Sequence, residues 1–284
     1  MDFFEKDARR DICAVIVSYN PEPLLLENIE ALLPQIHRCL VVDNGSTEQT
    51  VLQEAKQKYG IDVIELGENK GIAFALNVGL EYCAQKGYPL VLTMDQDTVL
   101  FTNAVECLLK AMLKEGAVSA GINWDRSISE TKCVEYLITS GNLVTVEAAK
   151  SIGGFDEALF IDSVDFDFCL RLQDKGFTIV KVADAGAKHN LGEKTGSRWF
   201  RTHSAFRYYY ISRNHFYILH KFEKSHRWFC IKKRIAFARE IVLLTLLDRE
   251  RTSKYKALLQ GYRDFKATYP ERRGVKGIYD EDQQ

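Results

Sequence analysis

The chain has 284 residues, of which 27% are charged and 46% hydrophobic, the composition of a globular protein with a sizeable core. The first ten residues are too charged for a secretory signal, and the apolar run at residues 241–247 is far shorter than the ~20 residues of a membrane-spanning helix. Seven cysteines without a C-x-x-C pair indicate buried thiols in a reducing compartment. We therefore expect a cytoplasmic protein.

The net charge of −1 hides an asymmetry between two parts of the chain. Residues 1–184 carry 16 Lys and Arg against 29 Asp and Glu, whereas residues 185–270 carry 19 against 6. The basic, aromatic-rich second part predicts an anionic partner, such as nucleic acid, a membrane surface or a phosphorylated substrate. Nucleic acid is the least favoured of these, because no recognised binding module accompanies the charge.

Strands and helices alternate over the first half of the sequence. Continuous apolar runs predict buried strands at 12–19, 39–42, 61–66, 89–93 and 117–122. Helical spacing predicts helices at 24–33, from Ser46 or Thr47 to about 59, at 72–85 and at 103–114. The alternation predicts an α/β fold: a Rossmann-like, mostly parallel sheet with helices on both faces.

The next stretch of the chain predicts three more elements. Residues 136–144 read as a strand interrupted by Ser140, Gly141 and Asn142, where the glycine indicates a bulge or the close approach of a ligand. A helix should begin near Asp162 or Ser163, with Asp162 as the best cap, and residues 177–182 read as a strand.

The predicted domain organisation has two parts. Residues 1–190 form the sheet domain, and residues 191–284 form a C-terminal helical extension in which helices reach about Lys266. The tail from Lys276 to Gln284 is expected to be disordered.

Polar or glycine-rich loops follow four of the predicted strands, at Ser18–Asn20, Asp43–Ser46, Glu68–Gly71 and Asp95–Asp97. Ligands of parallel sheets lie beyond the carboxyl ends of the strands, so these loops predict a nucleotide pocket closed by a metal site. Along an extended chain the two carboxylates of Asp95 and Asp97 point the same way, and such oxygen ligands suit Mg²⁺ or Mn²⁺. Taken alone, the D-x-D spacing favours a turn, and its position after a fully apolar strand reverses that preference.

Three loop residues have plausible roles beside a nucleotide. Asp43 can accept the imide N–H of uracil or thymine, Lys70 lies within reach of phosphate, and Gly71 lets the backbone approach a ligand closely. The alternatives are an Asx turn with a helix cap for Asp43 and a plain helix start for Gly71.

Two acidic residues in the later helix are candidates for acid–base chemistry. Asp165 and Asp167 lie about 200° apart on a helix, so at most one of them can serve the reaction. In the first turn, Asp165 would be kept ionised as a general base, while Asp167 would face acceptor groups or a local ion pair. His189, at a strand exit, is either structural or an imidazole ligand of the same metal.

The motifs resemble the inverting family-2 glycosyltransferases of the GT-A fold over about residues 12–214. Those that carry the resemblance are Ile16–Asn20, Val42–Ser46, Glu68–Ala73, Asp95–Asp97, Ile138–Gly141, Ile152–Glu157, Leu159–Asp162, Val164–Asp165, His189–Glu193 and Arg207–Asn214. The later motifs look like those of the bacterial rhamnosyltransferase branch, which uses dTDP-L-rhamnose.

The resemblance implies a role for each matching residue. Asp165 corresponds to the catalytic base, although Val164 replaces the first acid of the family's E-D pair. Asp97 corresponds to the main metal ligand of the D-x-D motif, with Asp95 and His189 as further ligands. The implied nucleotide-sugar site comprises Ser18, Tyr19, Asn20, Asp43, Asn69, Lys70, Gly71, Asn77, Asp95 and Gln96. The implied acceptor or sugar pocket comprises Ser140, Gly141, Asn142, Asp167 and Arg207.

The resemblance also implies the reaction and its partners. A sugar would pass by metal-assisted direct displacement to a hydroxyl of a cell-surface polysaccharide or a lipid-diphosphate-linked acceptor. The Q-x-x-R-W signature of processive members is absent, which implies addition of one or a few sugars. The C-terminal region would either touch the inner face of the plasma membrane or only pack on the catalytic domain, and a homo-oligomer is an open alternative.

Three competing functions follow from the same sequence. A UDP-hexose donor would require only a change of sugar nucleotide. A sugar-1-phosphate nucleotidyltransferase would require a Gly-rich loop with a basic residue near the first strand, where Ser18–Pro21 has neither. A binding module without catalysis would not need Asp95, Asp97 and Asp165 together.

Overall fold

A computed structural model of the protein describes residues 11–189, 202–248 and 251–269, with His189 described by its backbone alone. The first ten residues, the part of the last sheet-domain motif beyond His189 and the tail from Lys276 therefore lie outside the described residues. Among the described residues no helix is both long enough and apolar enough to cross a membrane.

An eight-stranded mixed sheet with helices on both faces forms the centre of the molecule. Its strands are β1 (Ile12–Ser18), β2 (Arg38–Asp43), β3 (Asp62–Glu65), β4 (Leu90–Asp95), β6 (Ser119–Ile122), β7 (Lys132–Cys133), β8 (Asn142–Thr145) and β9 (Ile179–Val182). The spatial order is β3-β2-β1-β4-β8-β6-β9-β7. The four strands on the β3 side are parallel, whereas β8 runs antiparallel to both β4 and β6. A separate two-stranded ribbon pairs β5 (Thr98–Leu100) with β10 (Ala187–His189).

Six helices cover the sheet: α1 (Leu24–Leu32), α2 (Thr50–Tyr59), α3 (Ile72–Lys86), α4 (Ala104–Glu115), α5 (Val146–Ser151) and α6 (Val164–Asp174). The apolar sides of α1, α2 and α4 pack on one face of the sheet, and those of α3, α5 and α6 pack on the other. Apolar residues recur every three or four positions in these helices, and burying that stripe on the sheet forms the two halves of the core.

The described residues after 201 form three helices: α7 (Ala205–Phe222), α8 (Arg227–Leu247) and α9 (Arg251–Thr268). An apolar cluster joins Leu170 of α6 to Ile218 of α7 and Phe229 of α8. A second cluster joins Tyr208 of α7, Leu244 of α8 and Leu258 of α9. The helical extension is thus packed directly against the sheet domain through α6.

The predicted fold class is confirmed, but several local predictions are wrong. Helix α2 begins at Thr50 with Gln49 in the N-cap position, because Ser46 and Thr47 bond instead to Asp43 and Asn20. The strand predicted at 136–144 is confined to Asn142–Thr145, since Gly141 adopts a φ of 76° and ends the extended run.

The cap of α6 also differs from the prediction. Ser163 is the N-cap of that helix and makes no side-chain capping bond, whereas Asp162 binds Arg207.

Candidate active site

A cleft of about 750 Å³ opens at the carboxyl ends of β1 and β4. The predicted residues that line it are Ser18, Tyr19, Asn69, Gly71, Asp95, Gln96, Asp97, Ser140, Asp165 and Arg207. These residues come from both halves of the sheet and from α7, so the fold gathers side chains from distant parts of the chain into one space. Such a cleft at a switch in strand order is where ligands of open α/β sheets bind.

The loops that follow the strands are tied to one another by side-chain hydrogen bonds. Gln96 accepts the backbone N–H of Tyr19 at 2.8 Å, and Ser46 Oγ accepts that of Asn20 at 2.7 Å. Asn44 donates to Asn69 Oδ1 at 3.0 Å and accepts the backbone N–H of Lys70 at 2.9 Å. The loops that form this wall of the cleft are therefore connected to one another.

Gly71 permits a close approach of two loops at the cleft. Its φ is 89°, and a Cβ atom there would lie 2.7 Å from the backbone oxygen of Phe160. The next residue, Ile72, donates its backbone N–H to that oxygen at 2.6 Å. Glycine is needed here both for the positive φ and for the missing side chain.

Asp95 and Asp97 project into the cleft from the end of β4. The side chain of Asp95 is open to the solvent of the cleft, yet the surrounding protein walls raise its pKa to about 6. The neighbouring carboxylates of Asp97 and Asp165 contribute to this rise in pKa. The backbone around Asp95 is fixed on both sides, because its N–H donates to Ser140 Oγ at 3.0 Å and its carbonyl accepts from Asn28 at 2.8 Å.

Two carboxylates converging on one cleft form a donor set that a divalent cation would fit. No group of three or more His, Cys, Asp or Glu side chains that could hold a metal occurs among the described residues. Magnesium is commonly held by one or two carboxylates together with substrate phosphates and water, so Asp95 and Asp97 suit an ion that arrives with a diphosphate. The backbone of His189 pairs with that of Thr98, the neighbour of Asp97, but its side chain is not described.

Asp165 lies in the first turn of α6 and lines the opposite side of the cleft. One of its oxygens accepts the backbone N–H of Phe166 at 2.9 Å. Burial raises the pKa of Asp165 to about 6, although this hydrogen bond and the nearby Lys233 act in the opposite direction. A carboxylate with a pKa near neutrality is suited to accept a proton at physiological pH.

The segment that leads into Asp165 has an unusual backbone. Phe160, Asp162 and Ser163 all have positive φ values, of 59°, 64° and 65°. The buried amide of Asn214, on α7, contacts the carbonyl oxygens of Leu159, Ile161 and Asp162 at 2.7–2.8 Å. Non-glycine residues persist in this conformation only when their surroundings hold them there, and Asn214 provides such a restraint.

Several residues predicted for the site do not line the cleft. Asp43 is buried and accepts hydrogen bonds from the backbone N–H of Ser46 and from the side chain of Gln49, which both follow it in the chain within six residues. Asn20, in the loop after β1, accepts the backbone N–H of Thr47 at 2.9 Å. The amine of Lys70 lies 3.7 Å from Glu68.

Structural contacts also account for the other predicted residues that lie outside the cleft. The side-chain amide of Asn77 forms hydrogen bonds with the backbone N–H and carbonyl of Phe155. Asn142 accepts the hydroxyl hydrogen of Ser119, and Gly141 is buried beside Ile122.

Asp167 requires a correction of its predicted place in the acceptor pocket. Its side chain is fully buried and forms ion pairs of 2.6 Å with both Arg171 and Lys221. The helical angle between Asp165 and Asp167 turns the second carboxylate away from the cleft and towards α7. The structure thus shows the local ion pair that was the alternative.

The sequence reasoning missed four aromatic residues that line the cleft and one lysine beside them. Trp124, Phe160, Phe166 and Phe206 line the cleft, and Phe160 stacks on Tyr210 with ring centroids 4.9 Å apart. Lys233 lies with its amine 4.0 Å from the centre of the Phe166 ring. The aromatic content of the C-terminal region was visible in the sequence, but nothing there showed which rings face the cleft.

The comparisons agree with this architecture. Residues 13–151 match the family model described as Glycosyl transferase family 2. The dTDP-rhamnosyl transferase RfbF of Shigella flexneri is 32% identical over 242 residues, covering 74% of this chain and 80% of that protein.

Solved structures show the same fold at low sequence identity. S. aureus TarS 1-349 in complex with UDP-GlcNAc is similar with a TM-score of 0.52 and 16% identity over 91% of this chain and 73% of that one. GalNAc-T7 with UDP, GalNAc and Mn²⁺ gives a TM-score of 0.54 and 13% identity over 63% of this chain and 43% of that one.

The sheet, its cleft and these likenesses define a glycosyltransferase with the GT-A fold. The chain belongs to glycosyltransferase family 2.

Proposed function

We propose that this enzyme transfers L-rhamnose from dTDP-L-rhamnose, with inversion, to a hydroxyl of a saccharide or lipid-diphosphate-linked acceptor. The observation that carries the proposal is the gathering of Asp95, Asp97 and Asp165 in one cleft from distant parts of the chain. The choice of donor is supported by the likeness to the dTDP-rhamnosyl transferase RfbF.

In the proposed reaction Asp165 is the general base. The acceptor oxygen forms a bond to the anomeric carbon from the face opposite the nucleotide, and the bond from that carbon to the diphosphate oxygen breaks. The hydroxyl proton passes to a carboxylate oxygen of Asp165, which therefore has to be ionised at the start. Inversion follows from this single in-line displacement.

Asp95 and Asp97 would hold Mg²⁺ or Mn²⁺ at the diphosphate end of the cleft. When bound, the cation supplies positive charge that stabilises the departing diphosphate. The pair also has a reason to bind the cation, since the carboxylate of Asp97 disfavours the ionised form of Asp95 until a cation neutralises the charge. His189 stays our third candidate ligand for the cation, because the pairing of β10 with β5 places its backbone opposite Thr98, the neighbour of Asp97.

We assign recognition of the nucleotide base to Asp43, on the condition that its existing hydrogen bond with Gln49 can be broken. Gln49 donates to Asp43 Oδ2 at 3.3 Å, a long hydrogen bond, whereas the backbone N–H of Ser46 donates at 3.1 Å. We expect the side chain of Gln49 to give way to a thymine imide, while the bond from Ser46 persists.

A pair of substitutions separates the two proposed tasks. Asp165→Asn keeps the shape of the side chain but cannot accept the proton, so transfer should fall at least ~100-fold while donor affinity stays within about twofold. Asp97→Ala should instead weaken Mn²⁺-dependent donor binding, measured by calorimetry. Equal loss of donor binding in Asp165→Asn would make that residue structural, and unchanged binding in Asp97→Ala would remove it from the metal site.

The donor itself can be identified by thermal shift. We expect dTDP-L-rhamnose with Mn²⁺ to raise the melting temperature more than UDP- or GDP-sugars do, because only the matching ligand makes the full set of contacts with the native state. The same screen without metal shows whether the cation contributes. A larger shift with a UDP-hexose would replace the proposed donor, and release of pyrophosphate from a sugar 1-phosphate and a nucleoside triphosphate would replace the reaction.

A further inference from the structure

Helix α8 carries an apolar stripe on the side that faces solvent. Trp228, Ile235, Val242 and Leu246 are 72%, 65%, 54% and 71% exposed. The first three recur every seven residues and the fourth follows four residues later, so all four lie on one side of the helix. We refer to these four residues as the outer face of α8. It extends over ~27 Å at 1.5 Å per residue.

The packing of α8 on the protein does not explain this stripe. The opposite side of the helix is also apolar, and there Phe229, Cys230 and Leu244 are fully buried against α6, α7 and α9. A helix that needs only to cover a protein core is apolar on one side and polar on the other. The outer face therefore calls for a separate apolar partner.

Basic residues flank the outer face on both of its edges. Successive residues turn by 100°, which places Arg227 and Arg234 along one edge and Lys232 and Arg239 along the other. Within the described residues 227–247, no acidic side chain is exposed, since Glu240 is half-buried next to Lys233 and Arg207. Lys232 and Arg234 form surface ion pairs with Glu135 and Glu223, side chains that are themselves largely exposed.

We propose that the outer face of α8 docks on an anionic phospholipid bilayer. An apolar stripe with a tryptophan, bordered by Lys and Arg, is the pattern of a helix that lies in the plane of a membrane surface. The cations would bind lipid phosphates while their alkyl stems rest against the apolar stripe. Pairing of two copies of the protein through this same face is disfavoured, because it would bring the Lys and Arg residues along the edges of one copy close to those of the other.

Helix α8 lies next to the candidate active site, so a membrane bound to its outer face would be close to the cleft. On the inner side of the helix, Lys233 contacts Phe166 and lowers the pKa of the adjacent Asp165. A bilayer on the outer face would thus be about one helix diameter, ~10 Å, from the candidate catalytic carboxylate. An acceptor carried on a lipid would reach the cleft from that surface. Membrane docking itself does not depend on which donor the enzyme uses.

Vesicle flotation with the full-length protein tests the proposal. We expect the protein to float with vesicles of phosphatidylcholine mixed with phosphatidylglycerol, and to stay in solution with pure phosphatidylcholine. The triple variant Trp228→Ser/Ile235→Ser/Leu246→Ser should reduce partitioning at least ~10-fold, and Arg239→Gln about fivefold. Leu113→Ser, which alters an exposed leucine on α4, is the matched control and should float like the wild type.

Each other outcome contradicts the proposal. Absence of wild-type flotation, equal flotation with neutral vesicles, or full flotation of the triple variant would overturn it. Sedimentation velocity adds a further check: a wild-type dimer that becomes a monomer in the triple variant would make the outer face a self-interface. Donor binding by the triple variant should equal that of the wild type, so a failure of the proposed donor would be distinguishable from a failure of docking.

Discussion

Asp165 and Lys233 come from different helices, α6 and α8, and approach each other beside the cleft. Burial raises the pKa of Asp165 to about 6, and the amine of Lys233 limits that rise. Burial also lowers the pKa of Lys233 from its usual value, while Asp165, Glu240 and Asp162 act in the opposite direction. Because each group stabilises the charged form of the other, the proposed base is adjusted by a residue far away in the sequence.

A plot of kcat against pH should therefore fall on its acid side, and the pH of that fall should reflect the pKa of Asp165. We call this part of the plot the acid limb. A carboxyl group with a raised pKa keeps its proton up to about pH 6, so kcat should fall as the pH drops through that value. Replacing Lys233 by Met removes the cation that lowers this pKa, and the limb should move to higher pH. The measurement is kcat against pH at saturating donor, where ionisation of Asp95 affects donor binding least.

Lys232 provides the matched control for this substitution. It is the neighbouring residue, but its side chain is largely exposed and pairs with Glu135. Lys232→Met should leave the acid limb where it is. An acid limb that stays in place in Lys233→Met, or that moves equally in both variants, would show that Lys233 does not set the pKa of Asp165.

Single residues were predictable where their chemistry depends on nearby sequence. Asp95 and Asp97 follow directly from a buried strand, so the local pattern placed them at the cleft edge, whereas the family resemblance placed Asp165 there. The burial of Asp167 was not predictable, because it depends on Lys221 of α7, and a pairing across more than 50 residues leaves no mark in local spacing. The predicted roles of the residues at the cleft stay predictions until the substitutions above are made.

Among elements, α7 and the left-handed segment before α6 depend on each other. Asn214 binds three carbonyl oxygens of that segment, and Arg213 also donates to the carbonyl of Leu159. Arg207 forms an ion pair of 2.9 Å with Asp162 in the same segment. One side of α7 thus sets the backbone from which Asp165 projects.

Asn214→Ala should consequently lower both stability and activity. Loss of the amide leaves buried carbonyl groups unsatisfied, which costs about 1–3 kcal/mol of unfolding free energy. Because the restraint on the segment is lost as well, kcat should fall at least ~10-fold while donor affinity changes little. Urea denaturation and steady-state kinetics measure the two effects.

Ser212→Ala is the control on the same helix. The hydroxyl of Ser212 is buried and donates to the carbonyl of Leu258 at 2.8 Å, on the side of α7 that faces α9. We expect a comparable loss of stability with near-normal kcat. Equal losses of kcat in the two variants would mean that Asn214 acts only through general stability.

Helices and strands were predictable where burial gives the sequence a regular spacing of apolar residues, and their ends were predicted less well. The continuous apolar runs of β1 and β2 were assigned to within a residue or two, since strands buried on both faces leave little choice. The start of α2 was misplaced, because Ser46 and Thr47, typical capping residues, are used to join loops. Strands β5 and β7 were missed, because strands of three and two residues carry no periodic signal.

At the scale of the whole molecule, helices α7 and α8 of the C-terminal region contribute side chains to the candidate active site and its surroundings. Arg207 of α7 lines the cleft and Lys233 of α8 stands beside Asp165. Lys221 of α7 neutralises Asp167 inside the protein. We propose that the change of architecture predicted near residue 190 separates two regions of one folding unit, which cannot be expressed apart.

Ending the chain after residue 201 should therefore give an insoluble product. The truncation exposes the apolar surface around Leu170 and removes Lys221, one of the two ion-pair partners of the buried Asp167. Solubility and circular dichroism of the fragment provide the measurement. Deletion of residues 276–284 alone, the tail predicted to be disordered, should leave a soluble and active enzyme, and a folded, soluble 1–201 fragment would refute the proposed unity.

The strand order also bears on how such enzymes diversify. Strands β1 to β4, which lead to Ser18 and Asp97, all precede residue 100 and form one contiguous half of the sheet. Ser140, Asp165 and Arg207 come from elements that follow α4. Under the proposed assignment, one genetic crossover within α4 between two relatives would join the donor site of one parent to the acceptor site of the other. Recombination could thus create a new glycosidic linkage while the sugar supplied stays the same.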